Sequence, residues 1–192
     1  MILYVEGGTP SATAPETPPV VLTEQVNADG YLKIKGLELS WVQPLDRWLP
    51  IQGFGFSANY TKINQSTTGG VSGAVALGVP PSTYNVTGYY EDHGIMVRLS
   101  ETFQKGSQVA TANQNGITAA ALFVDDYKQL DISSSFDLGV ILGKTSPYWP
   151  QITFDVINAT KEKQRTYFQF NDATFTEYKP GSTYILGAHF KF

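Results

Sequence analysis

The final eleven residues, Ser182-Thr-Tyr-Ile-Leu-Gly-Ala-His-Phe-Lys-Phe192, constrain the fold of this chain more than any other stretch. Every second residue counted back from the C-terminus is apolar or aromatic: Phe192, Phe190, Ala188, Leu186 and Tyr184. The residues between them, Lys191, His189, Gly187, Ile185 and Thr183, are mostly polar or small. Side chains of a strand alternate between two faces, so this is a ribbon with one apolar face and one wetter face. In a soluble sandwich the apolar face points into a core, whereas in a transmembrane barrel it points out to lipid and the polar set lines the lumen. Rings at both ends of the apolar face, Tyr184 and Phe190/Phe192, stand where interfacial girdles would. The last core strand of an ordinary β protein has the same period, so this segment alone leaves both readings open.

The pattern recurs along the chain. Leu37, Leu39 and Trp41 alternate with Gly36, Glu38 and Ser40 in a strand expected over about 31–43. Phe54, Phe56, Ala58 and Tyr60 alternate with Gly53, Gly55, Ser57, Asn59 and Thr61 over 51–62. Further strands are predicted at 83–91, from Ile95 to Gln104, at 128–138 and around Ile152–Val156, with Asp92-His93-Gly94 as a tight hairpin turn. Glu101 falls within the apolar set of its strand and is expected near the headgroups, where a charge costs little. Lys33 and Lys35 are likewise expected outside the hydrocarbon, or behind a bulge near Gly36. Connections alternate between long (6–30, 64–82, 106–126 and 161–181) and shorter (near 44, 92 and 140). That rhythm is expected of an up-and-down transmembrane barrel with long loops at one rim and short turns at the other.

Composition narrows the alternatives. The 192 residues include no Cys, 16% charged residues and a formal charge of −4, with a sequence pI of about 5.1. No basic footprint marks a nucleic-acid partner, and no thiolate metal site or disulfide framework is available. No apolar run approaches the ~18 residues of a membrane helix, so a spanning chain must use strands. Met1-Ile-Leu-Tyr-Val-Glu-Gly-Gly has neither a basic region nor an apolar segment of a secretory signal. A protein bound for the outer membrane needs one, so either the chain is not exported or it is a piece of a longer polypeptide. Seven strands look complete and a first, residues 1–5, is a stub, while the small polar set Gly53, Gly55, Ser57, Asn59, Ser133, Ser135 and Gly187 suits a wide lumen. The fold expected is therefore an all-β, antiparallel up-and-down transmembrane β-barrel, of which residues 1–192 form the C-terminal portion.

Several segments resemble one family. Asn27-Ala-Asp-Gly-Tyr-Leu-Lys-Ile-Lys-Gly-Leu-Glu-Leu39 is similar to the Gly-x-Glu strand of TonB-dependent outer-membrane receptors. Ser82–Glu91 followed by Gly94–Ser100 resembles their next hairpin, and Tyr127–Ser133, Phe154–Tyr167 and Pro180–Gly187 follow in the family's order. Ser182 stands where the family usually has Arg after Pro-Gly, and the aromatic often found near Glu101 is a second departure. A terminal Phe192, with Phe190, resembles the assembly signal of outer-membrane barrels and implies the barrel assembly machinery as a partner. The resemblance further implies import of an iron chelate, cobalamin or oligosaccharide across the bacterial outer membrane, with an N-terminal plug domain and the TonB complex as partners.

Nothing in the chain argues for catalysis, a cofactor or a metal site. His93 and His189 supply no set of three or four donors, and Gly69-Gly70-Val-Ser-Gly73 lacks the lysine of a phosphate loop. Glu38, Arg98, Asp131, Asp137 and Asp155 are expected to face the lumen, chiefly to pair with a plug or with neighbouring strands. The candidates for ligand contact are the aromatics of the last long connection, Tyr167, Phe168, Phe170, Phe175 and Tyr178, which could stack on a chelate or sugar or simply pack the loop. A small self-contained outer-membrane pore or anchor, and a soluble ligand-binding β-barrel with its apolar face inward, are the competing readings.

Overall fold

The structure, a computed structural model, describes residues 30–69, 74–144, 146 and 148–191. The expected stub at 1–5, most of the first long connection and Phe192 lie outside the described residues. Among the described residues, eleven strands and one helical turn follow in order: β1 (Gly30–Pro44), β2 (Phe54–Gly69), β3 (Ser82–Asp92), β4 (Ile95–Gln104), β5 (Ser107–Gln114), β6 (Ile117–Val124), β7 (Tyr127–Asp137), α1 (Leu138–Ile141), β8 (Gln151–Ile157), β9 (Gln164–Phe168), β10 (Thr174–Tyr178) and β11 (Thr183–His189). They form a seven-stranded sheet in the order β1-β2-β3-β4-β7-β8-β11 and a four-stranded sheet in the order β10-β9-β6-β5.

The chain divides into two units. The smaller includes described residues 30–33, 66–69 and 74–75, where the Thr68 hydroxyl donates to the Tyr31 carbonyl at 3.4 Å. The larger unit, residues 34–65 and 76–192, holds the rest of the wall.

Register fixes which residues share a face. Phe54 pairs with Tyr90, Tyr90 with Val97, Val97 with Ser134, Ser134 with Phe154 and Phe154 with Leu186. One step along, Phe56, Gly88, Leu99, Ile132, Val156 and Tyr184 form the next row. These rows are the apolar face, and they are not a core. Leu186 is 77% exposed, Trp41 61% and Phe190 54%, while the only buried hydrophobic residues among those described are Ala120, Val156 and Phe168. A sheet this rich in aromatics with almost nothing packed on its apolar side has the solvent preference of a membrane wall, because water would charge about 25 cal/mol for each Å² of it. The soluble, apolar-inward reading needed Phe54, Phe56, Leu186 and Phe190 gathered in a dry centre, and they are instead spread over an open surface.

The opposite face is tied by side-chain hydrogen bonds. Thr87 and Ser100 hydroxyls meet at 2.7 Å, Asn85 Nδ2 donates to Thr102 Oγ1 at 2.8 Å, and Ser133 Oγ donates to Asp155 Oδ1 at 2.5 Å. Small residues on this face also have local causes. The Tyr89 ring lies over Gly55, its cross-strand partner, so that a Cβ there would collide with the phenol, and one at Gly187 would stand 2.5 Å from Thr153 Oγ1.

Glu101 is accommodated within the apolar face. Its Oε1 accepts from the Tyr84 hydroxyl at 2.7 Å and lies 3.2 Å from Lys128 Nζ, so the carboxylate is paired by its cross-strand neighbours.

Two connections differ from expectation. Residues 106–126 and 161–181, read as loops, contain β5, β6, β9 and β10, and β2 runs on to Gly69. The β5–β6 turn is Asn115-Gly116, both at positive φ (49° and 80°), the pair that a two-residue hairpin requires.

Candidate functional site

The four-stranded sheet is the most organised feature outside the wall. Each hairpin comes from a different long connection, and they join through β6 and β9, where Leu122 pairs with Phe168, Phe123 with Tyr167 and Val124 with Thr166. Alternation sends Tyr167 and Phe168 to opposite faces of β9. On one face the Tyr167 ring stacks on Phe123 at 5.4 Å, with the Arg165 guanidinium 5.1 Å from the Tyr167 centroid. On the other, buried Phe168 meets Phe175 edge-on at 4.9 Å.

Arg165 is the pin of this sheet. Its Nε donates to Asp125 Oδ2 at 2.8 Å, Nη1 donates to the Asn171 carbonyl at 2.7 Å and to Thr174 Oγ1 at 3.1 Å, and Nη2 donates to Asn171 Oδ1. One side chain, 15% exposed, thus holds the end of β6, the β9–β10 turn and the start of β10. Replacing Arg165 with Ala is expected to cost about 2 kcal/mol, the scale of hydrogen bonds to a charged group. Hydrogen exchange should show it as lost protection in both 107–124 and 164–178, and loss confined to one hairpin would contradict the pin.

Lys163 and Lys179 flank Glu177 on the outer strand, at 2.6 and 2.5 Å. Their ammonium groups hold its carboxyl at a pKa of about 2, below the usual 4.5. A depressed carboxyl pKa contributes order that is present above the unfolded value and lost as pH falls through the folded one. Protection of the β9–β10 hairpin is therefore expected to fall between pH 4.5 and about 2. Glu177→Gln should flatten that step, and an unchanged profile in the variant would rule the pair out as its cause.

The acidic and basic candidates of the polar face are not drawn into one cluster. Arg98 pairs with Glu91 at 3.2 Å. Asp155 accepts from Ser133, and Asp137 caps α1 by accepting from the Val140 backbone N–H at 3.1 Å. Glu38 is exposed and alternates with Leu39 and Trp41. Asp131 accepts from Gln129 Nε2 at 2.7 and 2.9 Å and from the Asn158 backbone N–H at 2.8 Å. Asn158, 4% exposed, in turn donates through Nδ2 to the carbonyls of Glu162 (3.0 Å) and Gly181 (2.9 Å), and its Oδ1 accepts from the Glu162 N–H at 2.7 Å. Ser182 Oγ donates to the Asn158 carbonyl at 2.8 Å. No group of three or more His, Asp or Glu residues capable of holding a metal occurs among the described residues.

A family model described as TonB dependent receptor-like, beta-barrel, matches residues 1–159, most of the chain. The chain belongs to the TonB-dependent receptor β-barrel family. Comparisons with curated proteins and with solved structures give no match. Barrels of this family sit in the bacterial outer membrane and act as transport receptors rather than enzymes.

In this receptor barrel the five aromatic candidates are split by packing. Tyr167 and Phe168 are held within the four-stranded sheet, whereas Phe170, Phe175 and Tyr178 are exposed. Phe190 is exposed on the apolar alternation of the last strand, beyond the matched residues. Arg165, Asp125, Phe123 and Asn158 organise the region and were not legible as site residues. The Asn115-Gly116 pair was the one available signal, since it marks a hairpin inside the supposed loop.

Proposed function

We propose that this chain is wall and outer loops of an active importer for a bulky, scarce nutrient, an iron chelate, cobalamin or oligosaccharide, energised through TonB. The observation that carries the reading is the two-faced seven-stranded sheet, apolar and uncovered on one side and polar on the other. With the apolar face toward outer-membrane lipid, Glu38, Arg98, Asp131, Asp137 and Asp155 belong to the lumen, where a plug domain supplies their partners. Residues 1–192 are then barrel alone, with Phe190 and Phe192 presented to the assembly machinery. Phe170, Phe175 and Tyr178, exposed rings on an ordered support, are the surfaces offered to a flat or sugar-like ligand.

Uptake of radiolabelled ferric chelates, cobalamin and oligosaccharides by cells with the receptor gene intact, with it deleted and with TonB deleted tests this. Accumulation of one class that requires both genes is expected. Uptake independent of TonB would mean a passive pore, and recovery of the protein in the soluble fraction would end the membrane reading altogether.

A further inference from the structure

The wall's apolar face changes chemistry abruptly at the end where the long connections emerge. Register places Tyr60, Tyr84, Phe103 and Lys128 side by side in one row. One step outward, Lys62 pairs with Ser82, and the Lys105 N–H continues the ladder to the Ser82 carbonyl at 2.9 Å. Lys105 Nζ lies 2.7 Å from Asp126 Oδ2. On β1, Lys35 shares the alternation of Leu37, Leu39 and Trp41, and Trp41 meets Phe56 at 5.4 Å, which places these residues on the same side. On β2 the face thus passes from Ala58 to Tyr60 to Lys62 at successive positions, and on neighbouring β1 it passes from Leu37 to Lys35.

The charges do not cancel. Lys105 and Lys128 each hold a carboxylate, Asp126 and Glu101. Lys35 and Lys62, exposed on adjacent strands, have no ion pair among the described residues. A band of rings marks the depth at which hydrocarbon gives way to headgroups, and a lysine just beyond it extends its ammonium to that level. An unpaired cation at headgroup depth attracts anionic lipid.

We infer that Lys35 and Lys62 form a binding surface for the phosphate of anionic lipid headgroups in the leaflet at the loop end of the wall. This rests on the apolar face meeting lipid, as in the proposed function. The occupant follows from charge complementarity and from continuity with the apolar face: a phosphate carried on acyl chains meets the lysines and the rings together.

Spin-labelled lipids that dwell against the receptor reconstituted in phosphatidylcholine vesicles test the surface. At low salt, labelled phosphatidylglycerol is expected to be preferred about fivefold or more over labelled phosphatidylcholine, the scale of one lysine near a membrane surface. The double variant K35Q/K62Q should bring the preference near unity, while K144Q, in the connection at the opposite end, should leave it intact. No preference in the unsubstituted receptor, or an undiminished one in the double variant, overturns the inference. Should the variant not fold, 1 M salt on the unsubstituted receptor serves instead. Screening should abolish the preference, and its survival would overturn the proposal. Failure of the receptor to enter vesicles would defeat the membrane reading as well, which separates the two.

Discussion

Replacing Val97 with Arg should destabilise the receptor by about 2–4 kcal/mol, whereas Ser100→Arg should cost no more than about 1 kcal/mol. Val97 lies on the apolar face between the rows of Ile95 and Leu99, with Tyr90 and Ser134 as its cross-strand partners. A guanidinium there must lose its water to hydrocarbon or drag headgroups and water inward, and the cost rises with depth. Ser100 points the other way and gives up only its 2.7 Å contact with Thr87. The chain already contains half of this comparison, because Arg98 is tolerated one residue from Val97 on the polar face, paired with Glu91. Urea unfolding of the receptor in detergent micelles, followed by its heat-shifted electrophoretic band, measures both variants. Equal losses would mean that the two faces meet the same solvent.

Asn158→Ala should cost about 4–5 kcal/mol and loosen residues 159–182 before the wall itself yields. The carboxamide makes its three bonds to the Glu162 carbonyl and N–H and to the Gly181 carbonyl, each worth about 1 kcal/mol net. Asn158 also sits at φ 56°, a left-handed conformation that Asn tolerates and Ala resists by about 1–2 kcal/mol. Asn158→Gly separates these causes, since glycine keeps the backbone conformation at no steric cost but loses the bonds. The Gly variant should retain about 1 kcal/mol more stability than Ala. Hydrogen exchange across 159–182 in the two variants checks the order, and identical protection in both would assign the whole effect to the side chain.

The wall was legible because its signal is local. Strands predicted over 83–91 and 95–104 are found at Ser82–Asp92 and Ile95–Gln104, joined at His93 and Gly94, both at positive φ. Predictions faltered where alternation was weak. Ser107–Gln114 mixes polar and apolar residues on both faces and Ile117–Val124 is apolar on both but for Thr118, so neither offers a period-two contrast, yet they pair as β5 and β6. Glu101 looked misplaced because its partners, Tyr84 and Lys128, lie 17 and 27 positions away on neighbouring strands. Local pattern gave no way to sort the candidate aromatics by burial, because Phe168 is buried by Phe175 across a turn while Phe170 is not.

By itself the sequence determined which side of each wall strand is apolar, since facing depends only on the parity of neighbouring residues and survives any choice of partner. It also determined where the short turns fall. Only the tertiary structure decided that two connections far apart in the chain become one sheet. That outcome depends on β6 meeting β9 and on Arg165 reaching Asp125, forty residues back. Such pairings are settled by where the wall releases and recovers the chain, at Lys105, Asp126, Asn158 and Gly181, and no local pattern encodes that distance.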